Sequence, residues 1–483
     1  MRKAVPLLAL LFTSAPALFA GRAGAQAPAL PGATTAPAGP AAGSPSANPV
    51  AVPPPPEVKD PMLAPVPLPA RVLGSWREAV ALLRSRSTDL KTSVDQVLEA
   101  EAQTRIALAQ YLPTLVGQGS YVHQLITLPA TGFTVNTVGG LSASTRLPIP
   151  NVYGGQLSLQ QDLINVQEFD QISINELGED AARLSVDDEK RTLALSVANQ
   201  IVAVVTAERD AEINRVGLRV ALEQAEITHR KQALGAANGL DVVRAQQNVA
   251  NARATLVTGD ESLREAREAL GLALGVPEET GVSPAVDVGG LAQDAAASCR
   301  AVATVDERAD VAAARTQLDV AKRNLQNVWY TFLPTLTAQS QLTGTSISTS
   351  GANPTWSIQG VVQVPIWDGG TRYGNLRNAR AAEDIALQTL ESLRRQAIIQ
   401  VEQAQRQLIV AEESARVAKE QRDLAAQNDE MTQLAYQTGQ GTSLELVTAS
   451  EAHRQAELSY ALAEFNVVKA RLLAMLALAT CPW

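Results

Sequence analysis

The side chains of this sequence that could do chemistry are few and scattered. His123, His229 and His453 lie far apart and show no metal-ligand spacing. Neither Cys299 nor Cys481 has a histidine close by in sequence or a second cysteine at zinc spacing. No nucleophile and base constellation stands out, so catalysis, a metal and a cofactor are all unexpected. Gly369-Gly370 followed by Gly374 lacks the full nucleotide fingerprint and fits a strand-to-helix transition better. What remains are two acids in matching places. Asp241 follows Leu234-Gly235-Ala236-Ala237-Asn238-Gly239-Leu240, and Glu445 follows Thr438-Gly439-Gln440-Gly441-Thr442-Ser443-Leu444. Each segment has a glycine where one helix would end and an acid where the next begins. An acid there can simply favour its helix N-terminus, or, near a symmetry axis, attract cations and slow anions. Arg244 is three residues beyond Asp241, a spacing that allows a weak pair along the helix.

The elements that must hold these turns are long helices. Residues 151–276 and 366–481 contain no proline, although the chain has 26 of them, and proline breaks a helix interior. Ile174, Leu177, Ala181 and Leu184 keep a three-and-four register that resumes at Leu195, Ala198, Val202 and Val205. Leu390, Leu393, Ala397, Val401, Ala404 and Leu408 keep nearly the same one. The run over 166–234 would be roughly 100 Å long at ~1.5 Å per residue, which describes a rod rather than a globule. Return helices over 240–274 and 444–478 are half as long, so another piece must continue each. A helix over 76–110, with Ser75 and Glu78 as a capping box, and one from about 304 have the length to do so.

Those two continuing helices stop at Leu112-Pro113-Thr114-Leu115 and Leu333-Pro334-Thr335-Leu336, near-identical signals of an internal duplication. Beyond them the period falls to two. Trp356, Ile358, Gly360, Val362 and Val364 face away from Ser357, Gln359 and Gln363. Leu336, Ala338 and Leu342 alternate with Thr337, Gln339 and Thr343. Leu157 and Leu159 alternate with Gln156, Ser158 and Gln160, and 115–128 is a less regular strand candidate. This alternation suits membrane β-barrel strands, or a hairpin packed on the helices in water. If the strands sit in lipid, four per chain cannot close a barrel, so several copies must join.

Net charge −9, with no Lys/Arg tract, excludes a nucleic-acid surface. Arg2 and Lys3, an apolar run and Ala23-Gly24-Ala25 predict an export signal over 1–25, with no cysteine nearby for a lipid anchor. Export would leave Cys299 and Cys481 free to pair, although two unpaired thiols are as compatible with the sequence. Residues 26–70, rich in Pro, Ala, Gly and Ser, predict a disordered leader.

Two tandem repeats, 71–275 and 301–483, flank a Gly- and Pro-containing junction over 276–300 that would sit at mid-height. Their order resembles the bacterial outer-membrane efflux protein family, the TolC-like channels. The motifs that carry the resemblance are the paired Leu-Pro-Thr-Leu stops, Val364-Pro365-Ile366-Trp367-Asp368-Gly369-Gly370, and Tyr436 with Gly439. It implies a mainly α fold with a small β part: a coiled-coil barrel plus four amphipathic strands per chain, forming a twelve-stranded barrel as a homotrimer in outer-membrane lipid. It implies the exit duct of a tripartite efflux or type I secretion system, with a periplasmic adaptor and an inner-membrane pump as partners. Asp241, Glu445 and Tyr436 fall where the family places its periplasmic gate, and Gly235, Gly239, Gly439, Gly441 and Thr442 lie on the tips that dock the adaptor. Gly441 replaces a frequent arginine and Thr448 a frequent acid, which puts the closed-state latch in doubt. A periplasmic coiled-coil scaffold is the alternative.

Overall fold

The structure, a computed structural model, describes residues 56–123, 125, 131–135, 141–145, 151–284, 286–287, 289–347 and 350–483. The expected signal over 1–25, leader residues 26–55, and 124 and 126–128 of the first strand candidate lie outside them.

In chain order the elements are β1 (Arg71–Leu73), α1 (Trp76–Arg86), α2 (Thr88–Tyr111), β2 (Thr114–His123), β3 (Thr131–Val135), β4 (Leu141–Thr145) and β5 (Asn151–Ile164). There follow α3 (Val166–Ala233), α4 (Gly239–Ala273), β6 (Thr280–Val282), α5 (Leu291–Ala297), β7 (Arg300–Ala301), α6 (Ala309–Tyr330), β8 (Thr335–Ile347) and β9 (Ser350–Gln363). The chain ends with α7 (Thr371–Gln437), α8 (Ser443–Leu476) and β10 (Ala479–Thr480). The fold is mainly helical with a small β part.

The helix expected over 76–110 is two helices. Ser87 leaves helical geometry at ψ 123° and serves both, its N–H bonding Leu83 O and its Oγ accepting from the Leu90 N–H at 3.2 Å. A serine hydroxyl can bond the backbone of a following turn in just this way, and here that competition with the continuing helix wins. Likewise the second repeat opens with a single 3-10 turn over Val305–Glu307, and α6 starts only at Ala309. At the start of α1 the Ser75 Oγ accepts from the Glu78 N–H, but the Glu78 carboxylate reaches Gly74 N and Arg71 rather than closing the box on Ser75.

α3 and α7 have 68 and 67 residues, α4 and α8 35 and 34. The shorter helices return along half the length of the long ones, and α2 and α6 pack on the rest. One core sits at the middle of α3, where Ala194, Val197, Ala198, Ile201 and Val202 meet Leu83 of α1, Leu270 and Leu274, Val282, Leu291 and Leu472. Residues of the 276–300 junction therefore help build that mid-height core. Cys299 and Cys481 are joined by a disulfide across it, beside the short β7–β10 pair.

β2, β5, β8 and β9 form one antiparallel sheet in that order, Gly117 opposite Leu157, Leu157 opposite Leu342 and Leu342 opposite Trp356. β2 is exposed along its whole length, as are Trp356, Ile358 and Val362 of β9, so neither strand is sealed against the helices. A further antiparallel hairpin, β3–β4, lies between β2 and β5 in sequence, where no strand pair was expected.

The leader is shorter than its composition suggests. Residues 56–70 lie on the helices: Asp60 caps a 3-10 turn over Pro61–Leu63, and Met62 and Leu63 pack on α3 and α4.

Candidate functional site at the helical tips

Each long helix ends in a Schellman motif with a left-handed glycine. At the first tip Gly235 has φ 75°, its N–H bonds Gln232 O, and the Ala236 N–H reaches back to Lys231 O at 2.8 Å. At the second, Gly439 has φ 79°, bonding Tyr436 O, and the Gln440 N–H bonds Ala435 O at 2.9 Å. Each return helix then opens with a reciprocal capping box. The Asp241 N–H donates to Asn238 Oδ1 and the Asn238 N–H to the Asp241 carboxylate; the Glu445 N–H donates to Thr442 Oγ1 and the Thr442 N–H to Glu445 Oε2. Both acids therefore hold their own helix starts, the simpler of the two roles open to them in the sequence.

Asp241 does more than that. Ser443, the first residue of α8, donates its hydroxyl to the Asp241 carboxylate, and Arg244 stands 3.8 Å away. The Ser443 hydroxyl above all, with the Asn238 amide and Arg244, holds the Asp241 carboxyl below the usual range against the opposing effect of burial. Glu445 remains exposed, and the Thr442 amide and hydroxyl pull its pKa down.

Tyr436 is buried at the other cross-connection. Lys231 donates to its carbonyl at 2.8 Å and lies 3.7 Å above its ring, while its hydroxyl is 3.4 Å from Thr228 Oγ1. Burial pushes the Lys231 pKa down. A cation at the end of α7 offsets the partial negative charge of the last-turn carbonyls, and the ring adds a cation–π contact. The two helical hairpins are thus tied at both ends of the tip, Lys231 and Thr228 to Tyr436, Ser443 to Asp241.

Lys231, Thr228 and Ser443 escape a reading of the sequence because they act across coils. Only Lys231 carries a local signal, a base in the last turn of a helix. Gly441 has a steric reason: a Cβ there would lie 3.0 Å from Tyr436 N and 3.2 Å from Ala435 C. Gly239 has none, its nearest neighbour being a side-chain atom of Gln232 at 3.8 Å, and its φ is not positive. Thr448 bonds back to Leu444 O and Glu445 O within its own helix. The histidines stay apart, on β2, α3 and α8, and His453 sits 3.2 Å from Asp429 of α7.

The sequence pattern of the outer membrane efflux protein family matches residues 79–276 and 303–478. Nodulation protein T of Rhizobium leguminosarum bv. trifolii is 27% identical over 402 residues, covering 79% of this chain and 80% of that protein. Outer membrane protein OprJ of Pseudomonas aeruginosa is 24% identical over 404 residues, covering 80% and 79%. The crystal structure of the outer membrane protein VceC of Vibrio cholerae superposes with a TM-score of 0.67 at 18% identity, covering 83% of this chain and 95% of that one. With that pattern matched over most of its length, this chain belongs to the outer membrane efflux protein family.

Proposed function

We propose that the protein is the outer-membrane exit duct of a tripartite efflux or type I secretion assembly, a homotrimer whose twelve strands close a barrel in lipid above an α-helical periplasmic tunnel. The observation that carries this is the β2-β5-β8-β9 sheet, which is exposed along β2 and β9 and, among the described residues, has both of those edges open within the protomer. Such edges are incompatible with lipid until sister chains pair with them. The helices support the same reading. α7 buries four of its 67 residues where α3 buries eighteen of 68. Its Val410, Val417, Leu424 and Met431, exposed at heptad spacing, form a seam for a neighbouring subunit.

In this duct Tyr436, with Lys231 and Thr228, and Asp241, with Ser443, hold the periplasmic gate shut. Glu445, repeated three times about the axis, attracts cations. The turns at Gly235, Gly239, Gly439, Gly441 and Thr442 are the docking surface for a periplasmic adaptor that couples to an inner-membrane pump. The chain is exported by its signal and held by its barrel rather than by a lipid. Purified protein reconstituted in a planar bilayer is expected to give a cation-preferring pore. Glu445→Gln lowers that preference with the trimer intact, and Tyr436→Phe raises open conductance. A monomer that extracts without detergent and never conducts would overturn the duct.

A further inference from the structure

Residues 56–70 follow the coil of α3 and α4 in a way that a passive leader would not. Asp60, its side chain only 7% exposed, accepts from the Met62 N–H at 2.9 Å and from Arg253 at 2.6 Å. Met62 and Leu63 pack on a patch made by Leu218, Ala221, Val249, Ala252 and Leu256. Seven residues on, Arg267 holds the Pro67 carbonyl at 2.9 Å while its other amine reaches Glu208. On α4 the two arginines are 14 residues apart, about 21 Å of helix. From Asp60 the strap makes the 3-10 turn over Pro61–Leu63 and leaves it in extended geometry at Ala64, a path of roughly 19 Å to Pro67 at ~2.0 Å and ~3.3 Å per residue. The spacing of the pins thus matches a short turn followed by an extended tail.

The second repeat supplies an internal control. Gly235 and Gly439, Asn238 and Thr442, and Asp241 and Glu445 are each 204 positions apart. At that offset Leu218, Ala225, Val249 and Leu256 correspond to Arg422, Asp429, His453 and Tyr460. There the coil covers itself: Arg422 stacks 4.5 Å from the Tyr460 ring, and His453 pairs with Asp429 at 3.2 Å. Arg253 corresponds to Glu457, so the pin for Asp60 is missing as well, whereas Arg267 corresponds to Arg471, which pairs with Glu412 as Arg267 does with Glu208. The apolar groove and the Arg253 pin occur together on the coil that carries the strap.

We propose that the α3–α4 groove from Leu218 to Arg267 is a binding site for a proline-containing peptide in which an acid caps a 3-10 turn of a proline and two apolar residues, and that residues 56–70 are its resident ligand. While the strap is seated this face of the first coil is closed to partner segments of the same chemistry. The proposal does not depend on the channel reading, because neither conduction nor trimer contacts enter it.

The test uses the full-length protein and a fluorescent synthetic peptide of residues 56–70, followed by anisotropy. Asp60→Ala with Met62→Ser and Leu63→Ser loosens the strap. The peptide is expected to bind this variant saturably and wild type at least about ten-fold more weakly, since a tethered competitor acts at millimolar effective concentration. Adding Arg253→Ala should weaken binding to the loosened variant about ten-fold, as loss of a charged pin does. Equal binding to both proteins overturns the proposal, as does no binding to a loosened variant of wild-type helicity. Should the triple variant not fold, Asp60→Ala alone is followed by hydrogen exchange. Faster exchange at 249–256 supports the groove as a ligand site, and unchanged exchange overturns it.

Discussion

Lys231 places a half-buried ammonium on the carbonyl and ring of Tyr436, so a single side chain joins the two hairpins at the point where α7 ends. Ser443 on Asp241 is the second such tie, and Gly441 lies between the two where a Cβ would crowd the backbone of Ala435 and Tyr436. A different residue sets a pH dependence at the other end of the long helix. Glu168, in the first turn of α3, is pushed up to about 7 by burial and then by the carboxylate of Asp162, and its Oε2 is buried without a partner. A carboxyl raised in the folded state binds more protons there than in the unfolded chain. Between its ordinary value and about 7, stability therefore falls as pH rises. Glu168→Gln is expected to raise thermal stability above pH 7, on the order of 1 kcal/mol, and to change little below pH 4. Melting curves across that range check the sign. Asp241 and Glu445 were legible in the sequence because a helix start is local. Their cross-coil partners were not, because no spacing along one chain segment says which helix lies opposite.

At the scale of elements, the two tips contain glycines of unequal need. Gly439 sits at φ 79°, which a Cβ makes unfavourable, whereas Gly239 is an ordinary first-turn residue with open space around it. Gly439→Ala is expected to cost about 1 kcal/mol and to fray the end of α7, while Gly239→Ala is neutral or slightly stabilising. Hydrogen exchange of the 434–440 amides separates the two. Helix lengths and the Leu-Pro-Thr-Leu stops could be read directly, because proline and apolar period act locally. The break at Ser87 could not, since neither a proline nor a glycine marks it. The seating of residues 56–70 was hidden for a related reason: their composition is that of a solvated chain, and only the arginines of α4 give Asp60 and Pro67 a place to bind.

At the scale of the molecule, the duplication gives two similar arms with unequal surfaces, one strapped and well buried, the other self-covered and apolar along α7. The disulfide joins the ends of the second arm, 182 residues apart in sequence. The chain-entropy model sets its contribution at about 5 kcal/mol as an upper figure for a loop of 182 residues. Cys299→Ser is expected to lower the urea midpoint of the oxidised protein substantially and to abolish its sensitivity to reductant. An unchanged midpoint would mean that the mid-height core holds this junction without help.

Because that covalent ring encloses nearly all of the second repeat, a protease that nicks any loop within it cannot release a fragment. Both pieces migrate as one species until the sulfurs are reduced, so damage at the exposed second tip leaves the subunit in one piece.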